Sequence, residues 1–159
     1  MLFRSAHDLN ALIDRSLRLV RHELNQRGVN IAREFAEHLS PLRVDRIQIE
    51  QVFVNLFINA SHAMPNGGQL TVRTYAGENE SIAAEVLDTG TGISEQDLPK
   101  IFDPFFTTKP VGIGTGMGLP VARGIIAQHG GELKLANRPE GGACAVITFH
   151  KPKETPNGS

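Results

Sequence analysis

From Asp88 to Gly118 glycines and prolines break the chain so often that no helical or strand period survives, apart from a turn expected around Gln96 to Phe102. A stretch this long without a period is usually functional, so the core must come from the regular segments on either side. Before it, apolar residues recur at Leu9, Leu12, Ile13, Leu17, Val20 and Leu24, which predicts an amphipathic helix from Asp8 to Arg27 stopped by Gly28. Val29 to Phe35 alternates as a half-buried strand does, and Pro41 to Val44 offers a short second one. Asp45 caps a second helix through Ile49, Val52, Phe53, Leu56, Ala60, Ala63 and Met64, with Gln48 completing a weak capping box, and Pro65 to Gly68 ends it. Gln69 to Tyr75 and Ile82 to Leu87 read as an antiparallel pair.

After the irregular stretch, Leu119 to His129 predicts a third helix, with Pro120 in its first turn and Gly130 beyond its end. Glu132 to Ala136 and Ala143 to Phe149 read as closing strands. We expect one domain over residues 1–150 and a disordered tail over 151–159. With 40% hydrophobic and 21% charged residues in 159, the chain is long enough to bury one core. Sixteen basic against 17 acidic residues exclude a basic nucleic-acid footprint. No apolar run is long enough to cross a membrane, so no membrane contact by this segment is expected, and a single cysteine, unable to form an internal disulfide, fits a reducing, cytoplasmic setting. The one cysteine, Cys144, reads as a small buried hydrophobe.

Four groups of residues carry chemistry. Asn55, Asn59 and His62 fall on one helical stripe, because offsets of four and seven both return near the start at about 100° per residue. Asp88-Thr89-Gly90-Thr91-Gly92-Ile93 puts a carboxylate at a strand end, followed by two glycines that let a backbone approach a flat ligand; a plain Asp-x-Gly turn fits those residues equally well. Gly112 to Leu119 runs into a helix N-terminus, an anion cradle without the Lys of a Walker loop. Ile101 to Lys109 gathers Phe102, Phe105 and Phe106 into a loop, as a hinged lid or as a hydrophobic plug, with Lys109 offering a cation to phosphate.

In this order and spacing, Gln51 to Ala60, Asp88 to Ile93, Ile101 to Lys109, Gly114 to Leu119, His129-Gly130-Gly131 and Gly141-Gly142 closely resemble the catalytic ATP-binding domain of sensor histidine kinases. The resemblance implies an α+β fold, a two-layer sandwich of the Bergerat (GHKL) kind: a mixed, largely antiparallel sheet with three helices on one face. It implies ATP and Mg²⁺ as cofactors. By this likeness Asn59, helped by Asn55, holds the metal, and Asn55, Asn59 and Lys109 serve the transfer. Asp88 accepts the adenine amino group, with Ala63, Gly90, Gly92 and Ile93 around the base. Phe102, Thr107, Thr108 and Lys109 belong to the lid side, a lid from about Ile101 to Gly116 that is expected to be mobile without nucleotide. Gly114, Thr115, Gly116, Met117, Gly118 and Leu119 receive the phosphates, and Thr148 completes the nucleotide-binding set. His62 stands where many relatives carry Lys or Arg.

The hydrolysing branch of this fold carries a glutamate at the place of Asn55, and an amide cannot act as a general base. That favours phosphoryl transfer to a histidine over transfer to water. Arg21-His22-Glu23 resembles the start of a phosphoacceptor box, but position 27 is Arg rather than Pro, so His22 reads as a solvated helix residue, as do His7 and His38; His129 has a helix-end role. The implied partners are a dimerisation and histidine-phosphotransfer domain of the same parent, which is expected to be a homodimer and which a membrane could anchor, and a response regulator. This segment by itself is expected to be monomeric. A Bergerat-fold ATPase, an anti-sigma-type serine kinase and a non-catalytic nucleotide sensor are the competing readings.

Overall fold

The computed structural model describes residues 3–103 and 118–150. Strand β1 (Ser5–His7) precedes helix α1 (Leu9–Gln26), followed by β2 (Val29–Glu34), β3 (Leu42–Val44) and α2 (Arg46–His62). Then come β4 (Gly68–Ala76), β5 (Ile82–Asp88), α3 (Gly118–Gln128), β6 (Gly131–Asn137) and β7 (Ala143–Phe149). Short 3₁₀ turns lie at Glu78–Glu80, between β4 and β5, and at Leu98–Lys100, where the sequence predicts a turn.

The main sheet has the order β2-β4-β5-β7-β6, parallel only at β2–β4, while β1 and β3 form a separate antiparallel ribbon. This is the mixed, mostly antiparallel α+β architecture expected. The apolar stripes of the helices meet one face of the sheet, where Leu9, Ile13, Leu17, Phe53, Phe57, Leu70, Ile126 and Ile147 are fully or almost fully buried. Phe53 and Phe57 pack with ring centroids 5.9 Å apart. Each of these side chains contributes about 1.5–3 kcal/mol by leaving water.

The helix ends follow from their capping residues. Asp8 accepts from the Asn10 amide at 3.1 Å and Asp45 from the Gln48 amide at 3.2 Å. The capping box at Asp45 is not completed: the Gln48 side-chain oxygen is buried without a partner, and the Asp45 N–H instead donates to His129 Nε2 at 3.1 Å. His129 Nδ1 in turn lies 2.8 Å from Ile125 O, so one neutral ring with its proton on Nδ1 ties the end of α3 to the start of α2. The helix-end role expected of His129 is therefore only half of what it does. Gly28 and Gly130, with φ of +74° and +73°, provide the left-handed residues that end α1 and α3.

Candidate nucleotide site

The candidate residues gather where β5 ends, beside the C-terminal half of α2 and the first turn of α3. Asn55, Asn59 and His62 are all half-buried on α2, the edge position predicted from their spacing. Gly118 opens α3 so close by that a Cβ there would lie 4.0 Å from Asn55 Cγ. Asn55 makes no side-chain hydrogen bond with a described residue. Leu119 packs partly against the core.

Asp88 closes β5 and is 6% exposed. Its Oδ1 accepts from Gly90 N–H at 2.9 Å and from Ala143 N–H at 3.1 Å, which fixes the carboxylate plane. Its Oδ2 takes no partner among the described residues. Arg138 Nη1 donates to the Asp88 carbonyl at 2.8 Å, and Gly142 passes so near that a Cβ would stand 2.1 Å from that oxygen. The turn is thus an Asx turn, as the plainer reading had it, with its second carboxylate oxygen left over.

The loop after Asp88 is pinned residue by residue. Gln69 N–H donates to Thr89 Oγ1 at 3.0 Å, and Thr91 N–H donates to Ala63 O, the C-cap of α2, at 3.0 Å. A Cβ on Gly90 would lie 2.2 Å from the same Ala63 oxygen, so only glycine allows this approach. Ile93 N–H donates to Asn137 Oδ1 at 2.7 Å, and Asn137 Nδ2 donates to Ile93 O at 2.5 Å. Gly92, at φ +74°, makes the turn that lets Asn137 bracket Ile93. Asn137 and Arg138 were missed from sequence, because on their own they read as ordinary turn residues after a strand.

Phe102 packs partly against the core with the Arg123 guanidinium 4.7 Å from its ring centroid, a cation–π contact. Phe102 is thus half-buried rather than a free aromatic, and Phe105 and Phe106 lie outside the described residues. Thr107, Thr108, Lys109, Gly114, Thr115, Gly116 and Met117 lie outside the described residues, as do most of the predicted lid and the tail. Thr148 does not join the cluster. It alternates with the core residues Ile147 and Phe149, so it faces away from the helices, and it pairs with Ala83 near the end of β5 opposite Asp88. Cys144 is half-buried on that same outer face, and burial, with Glu85 adding to it, pushes its thiol pKa up. No group of three or more His, Cys, Asp or Glu among the described residues could hold a metal ion.

The sequence model of the family described as "Histidine kinase-, DNA gyrase B-, and HSP90-like ATPase" matches residues 44–155. The sensor kinase CckA of Brucella abortus is 43% identical over 129 residues, covering 72% of this chain and 14% of its own length. The sensor histidine kinase ZraS of Klebsiella oxytoca is 34% identical over 157 residues, covering 95% of this chain and 33% of its own. The chain thus spans a third or less of these two relatives. The solved catalytic domain of histidine kinase ThkA superposes with a TM-score of 0.82 at 31% identity, over 94% of this chain and 97% of that domain. ThkA in complex with the response regulator protein TrrA matches with a TM-score of 0.75 at 26% identity, over 94% of this chain and 42% of that one. The chain belongs to the histidine kinase-, DNA gyrase B- and HSP90-like ATPase family, among the catalytic ATP-binding domains of sensor histidine kinases.

Proposed function

We propose that this domain binds Mg²⁺–ATP at the end of β5 and donates the γ-phosphoryl group to a histidine on a dimerisation and phosphoacceptor domain of its parent protein, for onward transfer to a response regulator. The observation that carries the choice of acceptor lies on α2. Its only carboxylate is Glu50, which Arg46 holds at 3.2 Å and Arg15 at 3.2 Å. The half-buried stripe beside Asp88 presents Asn55, Asn59 and His62 instead, and Asn55, at the place where the hydrolysing branch carries its water-activating glutamate, is an amide that cannot take a proton from water. Phosphoryl transfer depends mainly on positioning and charge stabilisation, which such a site can supply to an incoming nucleophile.

In this reading Asp88 Oδ2 accepts the adenine amino group, while Ala63, Gly90, Gly92 and Ile93 frame the base. Asn55 and Asn59 are hard, neutral oxygen donors, a set that suits Mg²⁺ when phosphates and water complete its shell. The ion would neutralise phosphate charge there. Gly118 and Leu119 open α3 with free amides for the phosphate chain, continuing Gly114, Thr115, Gly116 and Met117. Lys109, Thr107 and Thr108 act from the lid, His62 borders the phosphates, and Phe102 anchors the segment through Arg123. The parent is a cytoplasm-facing homodimer and this domain a monomer. That ThkA is seen with a response regulator supports such a partner here.

Asn59→Ala tests the metal assignment. ATP affinity measured by calorimetry with and without Mg²⁺ is expected to lose its Mg²⁺ dependence in the variant. Dependence that persists unchanged moves the metal elsewhere.

A further inference from the structure

Among the described residues the sheet ends at β2, which pairs there only with β4. Where its backbone points follows from two bonds: Gly68 N–H donates to Gly28 O at 3.3 Å, and Ala36 N–H donates to Thr74 O at 3.1 Å. In a parallel pair alternate residues bond the neighbour, so Asn30, Ala32 and Glu34 face β4 together with Gly28 and Ala36. Val29, Ile31 and Arg33 therefore direct their N–H and C=O groups to the free edge. Those residues line a groove of about 290 Å³ whose opposite wall on α1 carries Arg18 and Arg21.

Charge in and around this groove is unbalanced. Arg33 is held by Asp14 at 2.6 Å, Glu34 by Arg73 at 3.2 Å, and Glu23 by Arg27 at 3.7 Å. Arg18 and Arg21 are exposed and take no partner among the described residues. Two free guanidiniums thus stand beside a row of alternating backbone donors and acceptors. Both lie before residue 44, outside the part of the chain that the family model matches.

We propose that this edge receives an extended acidic segment of a partner protein as an added strand, its carboxylates reaching Arg18 and Arg21. The spacing fits: residues three apart on a helix have Cβ atoms about 5–6 Å apart, and alternate residues of a strand, on one face, stand about 6.6 Å apart. Acids at every second position therefore present to both arginines at once. A free phosphate could use the guanidiniums but not the edge carbonyls. Added strands gain affinity from main-chain bonds and specificity from alternate side chains.

The probe is a nine-residue peptide alternating Glu with Val, titrated into this chain and followed by amide NMR and hydrogen exchange. Saturable binding that slows exchange at Ile31 and Arg33, and that weakens by about tenfold or more in Arg18→Glu/Arg21→Glu, is expected. Two versions of the peptide, N-methylated at the odd or at the even positions, keep every charge, and one of the two is expected to lose binding. The same peptide with Lys for Glu should not bind. Tripolyphosphate binding as tightly as the peptide, peptide binding without protection of Ile31 and Arg33, or no binding at all each overturns the proposal.

Discussion

Asp88→Asn separates the two jobs given to one carboxylate. Oδ1 already accepts two backbone amides, from Gly90 at 2.9 Å and Ala143 at 3.1 Å. Asparagine keeps a carbonyl oxygen at that place and occupies the position of Oδ2 with an amino group. Both bonds survive but lose their ionic character, about 1 kcal/mol each. Part of this is returned because a neutral amide is easier to bury than a carboxylate. Stability should fall by no more than about 2 kcal/mol, and the Arg138 bond to the Asp88 carbonyl is untouched. At the ligand the change is larger, since the acceptor for the adenine amine becomes a donor. Loss of that charge-assisted bond, about 1.5–3 kcal/mol, corresponds to roughly 10- to 150-fold weaker ATP binding. Inosine triphosphate, with a carbonyl in place of the amine, should bind the wild type poorly and the variant better. Calorimetry of both nucleotides on both proteins, with a thermal melt of each, reads the two effects apart. Equal loss for both nucleotides, or unchanged ATP affinity, would refute the direct contact and leave Asp88 a purely structural role.

Other perturbations follow from the same geometry. Asn137→Ala removes both bonds to Ile93 and should weaken ATP severalfold, with about 1–2 kcal/mol lost in a denaturant titration; unaltered nucleotide affinity would detach this bracket from the site. His129→Ala strands the Asp45 N–H, so the unfolding free energy should fall by about 1–3 kcal/mol, and a smaller change in the melt would mean that water replaces the ring. Because burial raises the Cys144 thiol, less of it is thiolate at pH 8.5 than in a free cysteine. Iodoacetamide should modify it far more slowly in the folded chain than in denaturant. The sign of the linkage also follows: a pKa raised by folding gives stability that is present below the unfolded pKa and lost as pH rises through the folded one. The alkaline loss of stability should therefore be smaller in Cys144→Ala.

The periodic parts of the fold were legible because α1 and α2 each have an apolar stripe and a capping Asp, and the strands of the main sheet have short apolar or alternating runs; β1, Ser5–His7, has neither and was not anticipated. Leu9–Gln26 and Leu42–Val44 fell within a residue or two of expectation. The stripe of Asn55, Asn59 and His62 was legible for the same reason, since helical spacing alone puts them together. What joins distant segments was not. Asn137 meets Ile93 across 44 residues and His129 meets Asp45 across 84, and neither pairing has a local signature. Thr148 came from the resemblance alone, and the alternation of β7 turns it to the outer face, away from Asp88, an orientation that needs the strand pairing to be read. The direction of the β2 edge could not be read before the parallel pairing with β4 was known.

The central claim, transfer to a histidine rather than to water, is tested most directly by joining this domain to the residues that precede it in its parent. That protein is incubated with Mg²⁺ and γ-labelled ATP while label on protein and label released as phosphate are both followed. Acid-labile, base-stable label on the protein, lost when the upstream histidine is replaced, is the predicted result. Phosphate release without any labelled protein would contradict the account, because water would then be the acceptor despite Asn55.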